Sequence, residues 1–166
     1  MNLETSRFGV IEVDEEKVIH MAGPILGFEG SRNYIILLHS EKTPFCWLQS
    51  LEESRVAFVI LNPQMVKSDY EILLSDDDVQ LLEIQKPEEV ILMMIATIRS
   101  NPLMITANLR APIVINATKR LAKQIVLENQ DYPVQYPVLI KDGEKEKTAA
   151  EVLRANVLGI SHAVAF

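Results

Sequence analysis

The 166-residue chain holds few side chains that could do covalent or metal chemistry, and their spacing limits what they could do. Its one cysteine, Cys46, could act as a nucleophile if His20 or His39 served as its base. Cys46 stands, however, inside the apolar run Phe45-Cys46-Trp47-Leu48, where a free cysteine is expected to pack and not to react. The three histidines, His20, His39 and His162, are isolated from one another and from any second ligand at zinc spacing. No HExxH helix, GxSxG elbow, P-loop or GxGxxG turn occurs. Gly23-Pro24-Ile25-Leu26-Gly27 has the outline of a glycine-rich loop, but its proline and apolar filling suit a turn between strands. Asp76-Asp77-Asp78 fails as a calcium loop, because the positions that need glycine and glutamate hold Leu81 and Pro87. These aspartates read instead as a helix start, with Asp76 as its cap and Asp77 and Asp78 favouring the positive end of the dipole. The residues thus point away from an enzyme, a metal or a cofactor. Among aromatics that could anchor a partner, Trp47 and Phe28 are expected in the core. Tyr70, between Asp69 and Glu71, is expected at the surface.

Charge is more informative once it is located. Between Asp69 and Glu89 eight acids (Asp69, Glu71, Asp76, Asp77, Asp78, Glu83, Glu88 and Glu89) face one base, Lys86, which gives −7, the formal charge of the whole chain. The other 15 acids meet 15 bases, so the remainder is neutral. A nucleic-acid binder should carry a basic stripe, and here the concentrated charge would repel phosphate. An acidic segment between apolar runs suits a basic protein surface, where complementary charge raises association rate and specificity.

These residues need a scaffold, and the chain is long enough to build one. A chain of this size buries roughly 70% of its unfolded surface, so a core forms without disulfide or metal. At 48% apolar and 23% charged residues the composition is globular and not disordered. No uncharged run approaches the ~18 residues of a membrane-spanning helix. Glu4 and Arg7 interrupt the region where a secretory signal would be apolar, and one cysteine suits a reducing cytoplasm.

Most segments read as strands: 8–13, 34–38, 45–51, 56–61, 71–74, 90–99, 113–115, 124–127 and 134–140. Glu15-Glu16 reads as a hairpin tip, Asn62-Pro63 as a strand stop, residues 76–84 as one or two helical turns, and residues 106–109 as the link between two long core strands. Short strands at such intervals predict a mainly β fold, a small antiparallel β-barrel-like single domain with a C-terminal helix. The barrel is expected over residues 1–140. A charged connector (141–147), a helix (148–158) introduced by the capping box Thr148 and Glu151, and an apolar tail (160–166) that docks on this barrel or a second copy should fill 141–166.

Several blocks occur in a fixed order: Gly23-Pro24-Ile25-Leu26-Gly27-Phe28-Glu29, Trp47-Leu48-Gln49-Ser50, and Ala57-Phe58-Val59-Ile60-Leu61-Asn62-Pro63. They are followed by Thr106-Ala107-Asn108-Leu109-Arg110-Ala111-Pro112-Ile113-Val114-Ile115-Asn116 and Lys123-Gln124-Ile125-Val126-Leu127. From about residue 3 to residue 138 the chain resembles the flagellar assembly factor family, FliW. The resemblance implies a cytoplasmic, non-enzymatic, β-barrel-like chaperone and regulator of flagellum biogenesis. Such a protein binds flagellin and antagonises the translational regulator CsrA, which couples flagellin synthesis to export. The implied partners are therefore CsrA and flagellin, with no direct nucleic-acid or membrane contact, no cofactor, and a monomer favoured. The residues expected at the CsrA contact are Asp69, Tyr70, Glu71, Asp76, Asp77 and Asp78. The chain departs from the family pattern at Val66-Lys67-Ser68, where an aromatic and a proline are usual before Asp-Tyr, and in its extension after about residue 139. The competing expectation is a small-ligand-binding β-barrel or a cysteine-dependent enzyme using Cys46.

Overall fold

The computed structural model describes residues 1–38, 44–99, 104–128, 131–142, 145–148 and 164–165. The architecture grows from strands that are apolar on both faces. In β4 (Asn33–Leu38) four consecutive residues are buried. Tyr34 and Ile36 point into one cluster with Cys46, Leu48 and Ile60, whereas Ile35 and Leu37 face Val13 and Val18 on the other side. A strand covered on both faces needs no polar alternation, which is why this run looked continuous in the sequence. β9 (Ile113–Asn116) is buried at all four positions for the same reason.

Seven strands close on themselves. β7 (Val90–Arg99), β6 (Ala57–Leu61), β5 (Cys46–Ser50), β4, β3 (Ile19–Met21), β10 (Leu121–Gln124) and β9 follow in hydrogen-bonded order, and β9 returns to β7. The ten-residue β7 makes closure possible. Its first half pairs with β9, Val90 opposite Asn116 and Met93 opposite Ile113. Farther along, it pairs with β6 and with β8 (Met104–Ala107), Ala96 lying opposite both Val59 and Ala107. Closure removes most sheet edges, which in an open sheet would template aggregation. The pairs are antiparallel except β10 with β3, where Leu121 lies opposite His20 and Ala122 opposite Met21 in parallel. The barrel interior holds Ile19, Tyr34, Ile60, Ile113 and Ile115. Outside, the hairpin of β1 (Asn2–Thr5) and β2 (Gly9–Glu12) covers β4, and a second cluster of Tyr70, Met94, Ile105 and Leu109 covers β6 and β7.

Several sequence expectations shift. The first hairpin turns between Thr5 and Gly9, where Gly9 takes φ +69°, and not at Glu15-Glu16. Residues Glu15–Lys17 form one 3-10 turn because the Asp14 carboxylate caps the Glu16 N–H at 3.1 Å. Residues 106–109 are not a simple link. Thr106 and Ala107 end β8, and the turn begins at Asn108, whose Oδ1 accepts from the Arg110 and Ala111 N–H groups at 3.1 Å each. The expected strand 124–127 ends at Gln124, and residues 71–74 belong to no strand. The expected helix is α1 (Asp76–Leu81); Ser75 caps it, accepting from the Asp78 N–H at 3.1 Å, and Glu83 ends it with φ 53°. The last expected strand divides into β11 (Tyr136–Pro137) and β12 (Leu139–Asp142). The expected charged connector is largely a hairpin, β12 pairing with β13 (Lys145–Thr148), so Thr148 is a strand residue opposite Leu139. The rest of the expected helix lies outside the described residues. Within the apolar tail, β14 (Val164–Ala165) pairs with Leu38 and Leu37 of this chain's own barrel.

Candidate partner-binding surface

After β6 the chain crosses the outside of the barrel as a strap. Asn62 accepts from the Gln64 N–H at 2.9 Å and starts the turn Pro63–Met65; the Lys67 N–H then donates to the Pro63 carbonyl and the Tyr70 N–H to the Lys67 carbonyl. Tyr70 drops from this strap into the outer core and is fully buried. Its hydroxyl donates to the Leu109 carbonyl at 2.6 Å, and its ring lies 4.6 Å from that of Tyr132. Burial pushes the phenol far above its ordinary pKa. This corrects the surface expectation for Tyr70. The turn that the Tyr70 N–H closes on the Lys67 carbonyl leaves Ser68 and Asp69 outside and brings the next side chain inward.

The other five expected contact residues divide into two groups. Asp69 is exposed and bonded to Lys67 Nζ at 2.8 Å, a hydrogen bond that holds its carboxyl below the usual range. Asp78 is mostly enclosed and bonded to Lys123 Nζ at 2.6 Å, which likewise lowers its pKa. Glu71, Asp76 and Asp77 are exposed and have no ion-pair partner among the described residues. The helix that carries Asp76 and Asp77 is held by a residue the charge pattern does not single out. The Asn116 side chain, buried at the end of β9, donates to the Leu82 carbonyl at 2.9 Å and the Glu83 carbonyl at 3.2 Å. Its Oδ1 accepts from the Thr118 and Lys119 N–H groups, so all its hydrogen-bonding capacity is used.

Between the strap and the segment after β10 runs a groove of about 940 Å³. Residues 71–75 form one wall and 125–128 the other. Tyr132 spans one part of it: the Glu71 N–H donates to the Tyr132 hydroxyl at 3.2 Å, and that hydroxyl donates to the Glu71 carbonyl at 3.0 Å. Ile72 and Leu127 pack down onto the outer core, whereas Leu73 is 95% exposed and Val126 58% exposed. Tyr132 was not singled out in the sequence, and Lys123 and Val126 stood there only within the block Lys123 to Leu127, because nothing local marks partners as distant as Glu71 and Asp78.

The candidates for covalent chemistry stay apart. Cys46 is buried in the barrel interior, and burial pushes its thiol up. His20 is exposed with Nδ1 2.6 Å from Asn33 Oδ1, and His39 and His162 lie outside the described residues. No group of three or more metal-ligating side chains occurs among the described residues. No described helix is long and apolar enough to cross a membrane. Residues 23–27 form the expected turn, with Gly27 at φ +86° and the Phe28 N–H donating to the Ile25 carbonyl at 2.8 Å. Trp47 is partly exposed under the Arg7 guanidinium, 4.5 Å from its ring.

The sequence and the fold recur in known proteins. A family model described as FliW protein matches residues 2–139. The chain is 49% identical over 139 residues to the flagellar assembly factor FliW of Syntrophus aciditrophicus, covering 84% of this chain and 88% of the relative. It is 41% identical over 137 residues to that of Geobacter sulfurreducens, covering 82% and 86%. A crystal structure of the flagellar assembly factor FliW superposes with a TM-score of 0.74 at 34% identity, covering 82% of this chain and 96% of the other.

Proposed function

The chain belongs to the FliW family of flagellar assembly factors, and from that premise we propose that it binds flagellin in the cytoplasm and antagonises CsrA, without being an enzyme. Flagellin leaving the cell would free this protein to take CsrA off the flagellin messenger, so translation would follow export. The observation that carries the reading is the placement of charge. Glu71, Asp76 and Asp77 stand unpaired on one face, held by the buried Tyr70 and Asn116, within the segment 69–89 that carries the chain's whole formal charge of −7. Such a face suits the basic surface of an RNA-binding regulator, and a docked acidic face opposes phosphate nearby. The contact is assigned to Asp69, Glu71, Asp76 and Asp77, with Tyr70 and Asp78 fixing the backbone beneath them. The alternative of a cysteine-dependent enzyme is disfavoured by the buried Cys46 thiol.

Charge reversal tests the assignment. Asp76→Lys with Asp77→Lys, and separately Asp69→Lys with Glu71→Lys, are expected to weaken CsrA binding at low salt by at least about tenfold, equivalent to ~1.4 kcal/mol. Calorimetry showing parental affinity in both double variants would remove the acidic face from the interface.

A further inference from the structure

We propose that the groove between residues 71–75 and 125–128 takes up an extended, basic segment of a partner protein by strand addition, a proposal that rests on the acidic face being the partner surface. Both walls carry the sequence and the burial of a strand. The first pairs with no described strand, and the second is joined on one side to residues 110–112, the Ile125 and Leu127 N–H groups donating to the Pro112 and Arg110 carbonyls at 2.9 and 2.7 Å. Exposure alternates with period two from Glu71 to Ser75 and again from Ile125 to Glu128. The backbone N–H and C=O groups of Ile72, Leu73, Leu74 and Val126 make no hydrogen bond to another described residue. The closed barrel leaves few free edges, and these walls are among those that remain within the described fold. Unpaired groups repeating along an extended chain match a peptide backbone better than a compact ligand, which needs convergent polar groups.

The groove also has limits and a sign. The Tyr132 hydroxyl binds across it to Glu71, and Lys123 is tied to Asp78 on its lining. A five-residue wall of extended chain is roughly 17 Å long. The floor is apolar through Ile72 and Leu127, and Leu73 and Val126 stand at the rim, ready to pack on alternate side chains of an added strand. Glu71 and Glu128 are exposed and acidic, whereas the lysines beside the groove, Lys67 and Lys123, are already engaged by Asp69 and Asp78. The added segment should therefore alternate apolar with basic residues.

The probe is a capped octapeptide of alternating lysine and valine, titrated into the full chain. Binding should saturate, weaken as salt rises, and slow amide exchange of residues 72–74 and 126 at least tenfold. Leu73→Asp, at an exposed position that should leave the melting temperature unchanged, should lower affinity at least tenfold, as should glutamate in place of the peptide's lysines. No saturable binding, undiminished binding to Leu73→Asp, or binding with those amides still exchanging freely would overturn the proposal. The whole partner separates the two readings. CsrA bound equally by the parent and Leu73→Asp, with residues 72–74 unprotected, would sink the groove and keep the functional reading. Peptide protection without binding of CsrA or flagellin would do the reverse.

Discussion

At the residue scale, two buried or half-buried polar contacts determine how the acidic face is presented. The Tyr70 hydroxyl satisfies the carbonyl of Leu109, a residue with no exposure. Tyr70→Phe keeps the ring and strands that carbonyl, so it should cost about 1–2 kcal/mol in chemical denaturation. Because the side chain is buried, CsrA affinity of the folded variant should not change; a large loss would mean that the hydroxyl reaches the partner. The Asp78–Lys123 pair carries a pH dependence of fixed sign. Lys123 holds the Asp78 carboxyl below its ordinary value, so the pair's stabilisation is complete above the unfolded value near about 4 and is lost as pH falls through the folded one. Asp78→Asn should therefore be less stable than the parent by about 1 kcal/mol at neutral pH, a modest figure because Lys123 is partly solvated. The difference should shrink as pH falls through the folded carboxyl's titration, and a stability gap that does not narrow in acid would contradict the ion pair.

At the element scale, α1 has six residues, too few to be stable alone, so its position must come from contacts with the barrel. Asn116 supplies two of them, beside the Asp78–Lys123 pair. Asn116→Ala leaves the Leu82 carbonyl unpaired and frees the Thr118 and Lys119 N–H groups, and should cost about 2–3 kcal/mol. Amide exchange at Val79 and Leu82, whose N–H groups close the helix on Ser75 and Asp78, should rise more than exchange in β5. A uniform rise would mean that Asn116 supports the barrel and not the helix. The strands of the closed barrel were legible in the sequence, because β4, β6 and β9 are covered on both faces and read as unbroken apolar runs. Three features were not. β8 hid in front of the Asn108 turn, since four residues ending at a turn look like the turn itself. The strand signal at residues 71–74 was real, but a propensity says nothing about whether a neighbour is present to pair with, and the ladder at 124–127 stops at Gln124 because its neighbour Pro112 has no N–H to return. The parallel pairing of β10 with β3 depends on closure around residues about 100 positions apart in sequence, which no local pattern encodes.

At the scale of the whole molecule, the barrel separates two tasks. Its interior and two outer clusters hold the fold together, leaving the strap, α1 and the segment after β10 to gather charge, exposed apolar side chains and unpaired backbone on one face. Of the candidate site, the acidic segment was legible from composition alone, whereas the inward turn of Tyr70 and the pairing of Asp78 needed the partners Leu109 and Lys123 from distant parts of the chain. Through this face the protein is proposed to meet a basic regulator. Calorimetric titration of the full chain with CsrA from the same cell, at two salt concentrations, tests that contact most directly. Binding is expected to saturate and to weaken as salt rises, because exposed charges more than about 8 Å apart are screened at physiological ionic strength. Binding indifferent to salt, or no binding at either concentration, would contradict it.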